Sequence, residues 1–155
     1  MRKLFFICIV LFLESCSKPN DFPEEYRYIM GEWVLDSLTK TTNIGTPYSQ
    51  SETVCVDSIG YCAKLIISDV KISELIENTT AFESRRIISI EICDVVFANG
   101  DTLKAFHVSY KPLNTLATNS ITLYYNSKTD KLSHSYSREQ YSQSNTSYLF
   151  TFKRQ

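Results

Sequence analysis

The feature that most constrains the fold is a succession of short segments rich in β-branched and aromatic residues, which begins at Trp33 and continues to the end of the chain. Turn-forming residues separate the segments, and this pattern is typical of β-strands. The predicted strands are residues 32–41, 51–57, 61–68, 86–97, 102–110, 119–126, 131–141 and 147–154. The chain is therefore predicted to be all-β.

Eight antiparallel strands would leave exposed edges unless the sheet closes on itself. A barrel removes those edges, and an eight-stranded barrel either holds one small ligand or is filled by its own side chains. We therefore predict an antiparallel eight-stranded barrel, with a two-sheet sandwich as the alternative. A short helix is expected before the first strand, because Pro23 suits a first helical position and Gly31 the position after a helix end.

One segment between the third and fourth predicted strands has a helical spacing. Ile72, Leu75 and Ile76 lie at i, i+3 and i+4, which favours a short helix. Glu74 and Glu77 would then lie on its solvated face. An additional strand is the competing interpretation.

The dipeptide Asn99-Gly100 favours a two-residue type I′ hairpin turn. That turn would pair residue 94 with 105 and place Asp94 and His107 on one face as diagonal neighbours. A histidine beside a carboxylate can act in acid–base catalysis, but a surface ion pair is the preferred interpretation. No enzymatic activity is predicted.

Nucleotide and metal sites are not expected. The four glycines, at 31, 45, 60 and 100, are too far apart to form a phosphate-binding loop. The cysteine and histidine spacings match no zinc pattern. No cofactor is predicted.

The first 15 residues are predicted to direct the chain to export. Arg2 and Lys3 precede ten apolar residues, Leu4 to Leu13, and ten residues of helix extend roughly 15 Å, about half of a bilayer core. A basic start and a short apolar run are typical of a removable signal peptide, so residues 1–15 are predicted to be one. Residues 16–30 would form a tether and short helix, and residues 31–155 a single barrel domain.

Without the signal peptide, Lys plus Arg falls from 16 to 14 and Asp plus Glu from 17 to 16, a net charge of −2. No long basic run remains, so a nucleic-acid partner is not predicted. Export favours disulfides. Cys55 and Cys62 flank a turn in CVDSIGYC and are the candidate disulfide, which leaves Cys93 as a buried small hydrophobic residue.

The segment Leu13-Glu14-Ser15-Cys16 resembles the lipobox of bacterial lipoproteins, although Glu14 departs from the usual small or apolar residue. The resemblance implies cleavage before Cys16 and attachment of diacylglycerol to its sulfur, with the membrane as the partner of the anchor. Ser17 resembles the residue that follows the cysteine in lipoproteins sent to the outer membrane of Gram-negative bacteria. The alternative is an ordinary signal peptide.

Gly31-Glu32-Trp33, after a short helix, resembles the signature that opens the first strand of lipocalins and their small bacterial relatives. The resemblance implies that Arg154, near the end of the last strand, packs over Trp33 to close one end of the barrel. The alternative is an ordinary core tryptophan and a surface arginine. Alternation along the strands then places four candidate ligand-lining residues in the interior, namely Leu35, Tyr148, Phe150 and Phe152.

The predicted function is non-catalytic binding of a small apolar or amphipathic ligand inside a membrane-anchored, lipocalin-like barrel. The alternative is a cell-envelope module that binds another protein, as an inhibitor or immunity protein does. Such a module would have a filled barrel and would use its loops or the Tyr- and Ser-rich residues 133–148.

Overall fold

The computed structural model of the chain describes residues 22–55, 63–76, 79–97, 100–138 and 146–155. A 3₁₀ turn, Glu24–Tyr28, precedes nine strands. The strands are β1 (Gly31–Thr42), β2 (Gln50–Cys55), β3 (Ala63–Ile67), β4 (Ile72–Ile76), β5 (Thr79–Val96), β6 (Thr102–Pro112), β7 (Asn119–Asn126), β8 (Lys131–Arg138) and β9 (Thr146–Arg154). The described part of the chain has no helix long and apolar enough to cross a membrane.

Eight of the strands form a closed ring. Each of β3 to β8 pairs with the next strand, and β1 pairs with both β3 and β9. All of these pairings are antiparallel. The predicted all-β, eight-stranded antiparallel barrel is therefore confirmed, and the short N-terminal helix is a single 3₁₀ turn.

The prediction of a helix around Ile72 is wrong, and the competing prediction of a strand is correct. The segment forms β4, which lies between β3 and β5 in the ring. Helical spacing and strand alternation both fit so short an apolar segment. In the strand, residues two apart share a face, so Ile72, Glu74 and Ile76 all point into the barrel.

Strands β2 and β3 are not paired with each other in the described residues. Both lie along the same edge of β1, where Cys55 is opposite Ser37 and Lys64 is opposite Val34. The described residues of β2 and β3 therefore do not form a hairpin around the turn predicted between Cys55 and Cys62. Cys55 is exposed at the end of β2, and Cys62 lies outside the described residues, so the disulfide stays a prediction.

The hairpin between β5 and β6 has a different register from the predicted one. Asp94 is opposite Lys104, and Glu91 is opposite His107. The N–H of Phe97 donates to Asp101 O and the N–H of Gly100 to Phe97 O. Phe97 follows β5 and Asp101 precedes β6, and Gly100 has a φ of +84°, which glycine adopts readily. This register is shifted by one residue from the predicted one and places Asp94 and His107 on opposite faces, so that prediction is wrong.

The interior is packed at the end that contains Trp33, which we call the closed end. The 3₁₀ turn crosses this end: Tyr26 donates a hydrogen bond to Ser68 O at 2.9 Å, and Trp33 Nε1 donates to Ile29 O at 2.8 Å. The buried core here includes Trp33, Leu35, Leu65, Ile72, Ile87, Phe106, Leu123, Leu132 and Phe152. Burial of these apolar side chains holds the strands of the ring together.

A bulge interrupts the alternation of β1. Leu35 is opposite Phe152 and Leu38 is opposite Phe150, with the register shift between them at Asp36. Because Phe150 and Phe152 share a face, Leu35 and Leu38 both point inward although they are three residues apart. The extra residue, Asp36, accepts a hydrogen bond from Lys131 Nζ at 2.8 Å.

Candidate functional site

The wall of the barrel opens between β7 and β8. Each of these strands has eight residues, yet only three pairs join them, from Tyr124–Ser133 to Asn126–Lys131. Beyond Tyr124 toward the start of β7, the strands are not paired with each other. This separation gives the solvent access to the barrel interior.

A cleft of about 760 Å³ occupies this opening. Ligand sites in proteins are typically pockets of this order of size with mainly apolar and aromatic walls. Inward-facing apolar and aromatic side chains form its inner surface, and these are Ile76, Phe82, Tyr110, Ile121 and Phe150. Residues near the edges of β7 and β8 form its mouth, namely Ser120, Thr122, Tyr124 and Ser135.

Two ionisable side chains meet at the bottom of the cleft. Glu74 from β4 is 8% exposed and His134 from β8 is 6% exposed. These strands are on opposite sides of the ring, because three other strands separate them in either direction. The side chains therefore reach each other across the width of the barrel.

The facing atoms of this pair lack hydrogen-bond partners. Glu74 Oε1 and His134 Nε2 are 3.6 Å apart, which is beyond the usual N–H···O range. Both atoms are buried without any other partner. Most buried polar atoms in proteins are hydrogen-bonded, so this pair is an exception that requires a physical account.

Aromatic rings surround the two groups. The His134 ring is stacked with Phe150 and Phe152, with centroids 5.2 and 5.8 Å apart. Phe82 is stacked with Tyr110 at 5.9 Å. Burial, and secondarily the charge of Glu74, raises the pKa of Tyr110 above its ordinary value of 10.0. Tyr110 is therefore a neutral hydroxyl in the cleft at physiological pH.

The four predicted ligand-lining residues occupy different places. Phe150 lines the cleft, whereas Leu35 and Phe152 are buried in the core of the closed end. Tyr148 is half-buried on β9, opposite Lys40. The structure thus brings only Phe150 of this set to the cleft wall.

The two residues predicted to close the barrel are in contact. Trp33 and Arg154 are paired across β1 and β9, and the Arg154 guanidinium carbon lies 4.2 Å from the centroid of the Trp33 ring. Arg154 also donates to Tyr28 O at 2.6 Å and to Met30 O at 2.9 Å. The contact ties the last strand to the 3₁₀ turn.

The other predicted candidates lie away from the cleft. Asp94 is exposed and forms an ion pair with Lys104 at 3.2 Å. His107 is exposed on the outer face, where Nδ1 is 3.0 Å from Thr122 Oγ1. Asp94 and His107 thus line no common pocket. Cys93 is also exposed, which corrects the expectation that it is buried, because it points outward from β5.

Neither residue at the bottom of the cleft is among the candidates predicted from the sequence. Glu74 was placed on a solvated helix face, and His134 was not a candidate. Alternation would have identified them, because Glu74 lies between the inward-facing Ile72 and Ile76, and His134 lies two residues after the buried Leu132.

Several earlier candidates stay predictions. Cys16 lies outside the described residues, as do residues 139–145 of the Tyr- and Ser-rich segment. Comparisons of the chain with protein-family models, with curated proteins and with solved structures each gave no match.

Proposed function

We propose that the protein is a lipid-anchored, lipocalin-like lipoprotein of the cell envelope whose barrel binds one small apolar or amphipathic molecule without converting it. The observation that carries this proposal is the cleft between β7 and β8, of about 760 Å³. It joins an apolar and aromatic interior to the solvent, which is the arrangement expected of a ligand-binding barrel.

The energy of binding would come from the removal of apolar surface from water. Such burial contributes roughly 25 cal/mol per Å² before the costs of association. The inward-facing side chains are carried by strands of a closed barrel, so little ordering of the site is needed on binding. Aromatic walls from Phe82, Tyr110 and Phe150 favour a ligand with a substantial apolar part.

The anchor is proposed from the sequence. The lipobox-like residues that end at Cys16, and Ser17 after it, support lipidation and a place in the outer membrane of a Gram-negative bacterium. The protein would then bind the membrane through the acyl chains attached to Cys16, and the ligand would be its second partner.

The cleft is tested with the neutral fluorescent probe N-phenyl-1-naphthylamine, whose emission rises in apolar sites. The purified full-length protein should bind it, and Ile121→Trp should weaken binding about tenfold or more, because the larger ring fills the space that the probe needs. Leu116→Trp is the matched control, since residue 116 is 87% exposed and lies outside the cleft lining.

Equal binding by the wild type and Ile121→Trp would contradict the proposal, provided that circular dichroism shows both proteins to be folded. Native mass spectrometry of the protein from its producing organism gives a second readout. We expect a co-purifying small molecule on the wild type and its loss from Ile121→Trp.

A second candidate function is the binding of another envelope protein, and an outer surface of the barrel favours it. The outward-facing side chains of Val95, Phe97, Leu103 and Leu149 line one shallow apolar groove. Apolar surface of this kind is found at protein-binding sites. A wild-type protein that binds neither the probe nor any co-purifying small molecule would favour this candidate.

A further inference from the structure

The buried pair at the bottom of the cleft points to the chemical class of the ligand. We propose that the bound molecule carries a hydrogen-bond-donating group, an alcohol or an amine, that binds the Glu74 carboxylate beside His134. Anionic amphiphiles that end in a carboxylate would be rejected. The inference rests on the proposed function, because it specifies the ligand of the same cleft.

The first argument is the unmet hydrogen-bonding capacity of the pair. Glu74 Oε1 and His134 Nε2 are both buried without a hydrogen-bond partner, and their separation of 3.6 Å leaves their mutual contact long. Buried polar atoms are expensive to leave unpaired. A donor from a ligand would satisfy the Glu74 oxygen, which can only accept when it is ionised.

The second argument is the position of the pair. Glu74 and His134 line the bottom of the cleft, on the opposite walls β4 and β8. The opening between β7 and β8 is beside His134, because only three pairs join these two strands, whereas β8 is paired with β9 from Lys131 to Arg138. A ligand group that enters the cleft would therefore meet both side chains at its bottom.

The third argument is the charge of the cleft wall. Among its described lining residues, Glu74 is the only acidic one, His134 is the only basic one, and none is Lys or Arg. A ligand carboxylate would face the Glu74 carboxylate in a water-poor site, where like charges repel strongly. Specificity against such ligands follows from this repulsion.

Alcohols and amines both fit the site. A hydroxyl donates to Glu74 and can accept from the Tyr110 hydroxyl or the imidazole. An ammonium group donates to Glu74 and is attracted to the faces of aromatic rings such as Phe82 and Phe150. Both classes of ligand therefore have a hydrogen-bond donor at the end of an apolar chain.

The test compares octanol, octylamine and octanoate, which have equal chain lengths, as competitors of N-phenyl-1-naphthylamine on the full-length protein at neutral pH. We expect octanol or octylamine to displace the probe at a concentration about tenfold or more below that of octanoate. In Glu74→Gln, which keeps the shape of the side chain, the advantage over octanoate should fall to less than about threefold. Glu91→Gln is the control, because it removes the same charge from an exposed residue of β5 that points to the outer face.

The inference would be overturned if octanoate competed as well as octanol and octylamine on the wild type. It would also be overturned if octanol and octylamine kept their advantage over octanoate in Glu74→Gln. Probe binding that none of the three compounds displaces would also overturn it, while the proposed function would stand. A wild type that does not bind the probe at all would contradict the proposed function itself, and the inference with it.

Discussion

Arg154 connects three parts of the chain at the closed end of the barrel. Its guanidinium lies over the Trp33 ring, donates to carbonyl groups of Tyr28 and Met30, and forms an ion pair with Asp130 at 3.2 Å. The planar guanidinium can make all of these contacts at once, which the point charge of a lysine cannot. The pKa of Asp130 is lowered mainly by its hydrogen bond with Arg154.

We expect Arg154→Ala to lower the free energy of unfolding by about 2 kcal/mol, from the loss of charge-assisted hydrogen bonds and the cation–π contact. Urea denaturation followed by tryptophan fluorescence measures the change, since Trp33 is the only tryptophan. Lys128→Ala is the control, because the Lys128 side chain is 76% exposed. If Arg154→Ala lost no more stability than the control, the contacts of Arg154 would contribute little to the free energy of unfolding.

The roles of single residues could be predicted from the sequence where the residue type is rare or its position is unusual. Trp33 and Arg154 could be proposed because a rare tryptophan follows a helix and an arginine occurs near the end of the last strand. Glu74 and His134 are not distinctive in this way, and alternation shows their inward direction only after β4 is assigned as a strand and Leu132 as an inward residue of β8. Charged residues are also seldom found buried.

The bulge of β1 determines which side chains surround Asp36. Strand β1 has one extra residue there relative to β9, and the Asp36 carboxylate lies 2.8 Å from Lys131 and 3.4 Å from Lys153. Asp36 thereby connects β1 to both β8 and β9. Bulges commonly redirect a side chain in this way.

Asp36 should make stability depend on pH. The hydrogen bond from Lys131, assisted by Lys153 and opposed by burial, lowers the pKa of Asp36 below its ordinary value of 3.8. A lowered pKa in the folded state stabilises the protein above the unfolded value, and this contribution is lost as the pH falls through the folded pKa. We therefore expect Asp36→Asn to be less stable than the wild type at neutral pH.

Below about pH 4 the stabilities of Asp36→Asn and the wild type should converge, because the wild type loses the contribution that the variant lacks. Urea denaturation over a pH series measures this. Asp94→Asn is a comparison variant with a more exposed ion pair, of the kind that contributes little. A stability difference between the wild type and Asp36→Asn that does not change with pH would contradict the argument.

The element predictions from sequence were accurate for the last strand, but they failed at the short β4 and at the start of β5, which begins at Thr79 and not at residue 86. The last strand alternates over nine residues and was placed within one residue of its observed start. The five residues of β4 fit both a helix and a strand. They form a strand because β4 pairs with both β3 and β5 in the ring. The bulge and the loop at Gly100 depend on local backbone geometry that composition does not specify.

The whole molecule has a packed end near the N-terminus and an open side. Phe22, where the described chain begins, packs against the core of the closed end. Six residues, 16–21, separate Phe22 from the start of the proposed mature chain at residue 16, a length of at most roughly 20 Å when extended. A lipid at Cys16 would hold the closed end near the bilayer.

The anchor is tested by Cys16→Ser. We expect this variant to leave the membrane fraction and appear in the soluble fraction when the protein is produced in its own organism, because no acyl chain can be attached. Cys55→Ser removes an exposed cysteine of β2 and should stay with the membranes. Cys16→Ser that sediments with membranes as the wild type does would refute lipid anchoring at this residue.

The architecture as a whole was largely predictable, whereas its opening was not. Eight short antiparallel strands in one domain favoured a barrel because closure satisfies their edges. The sequence does not say where the ring is weakly joined, since β7 and β8 both alternate as ordinary strands. The cleft arises because only three residue pairs join β7 to β8. This limited pairing depends on how the ring closes and not on the sequence of either strand alone.

The pairing of β1 with β9 has a consequence for how the chain reaches this structure. Trp33 and Arg154 are partners in the ring although 121 positions separate them, and contacts between distant parts of a chain slow folding. The ring cannot close until β9 is present, because β9 joins β8 to β1. Until then the apolar side chains of the incomplete ring are exposed to water and open to aggregation, so the pairing of β9 with β1 also protects the core.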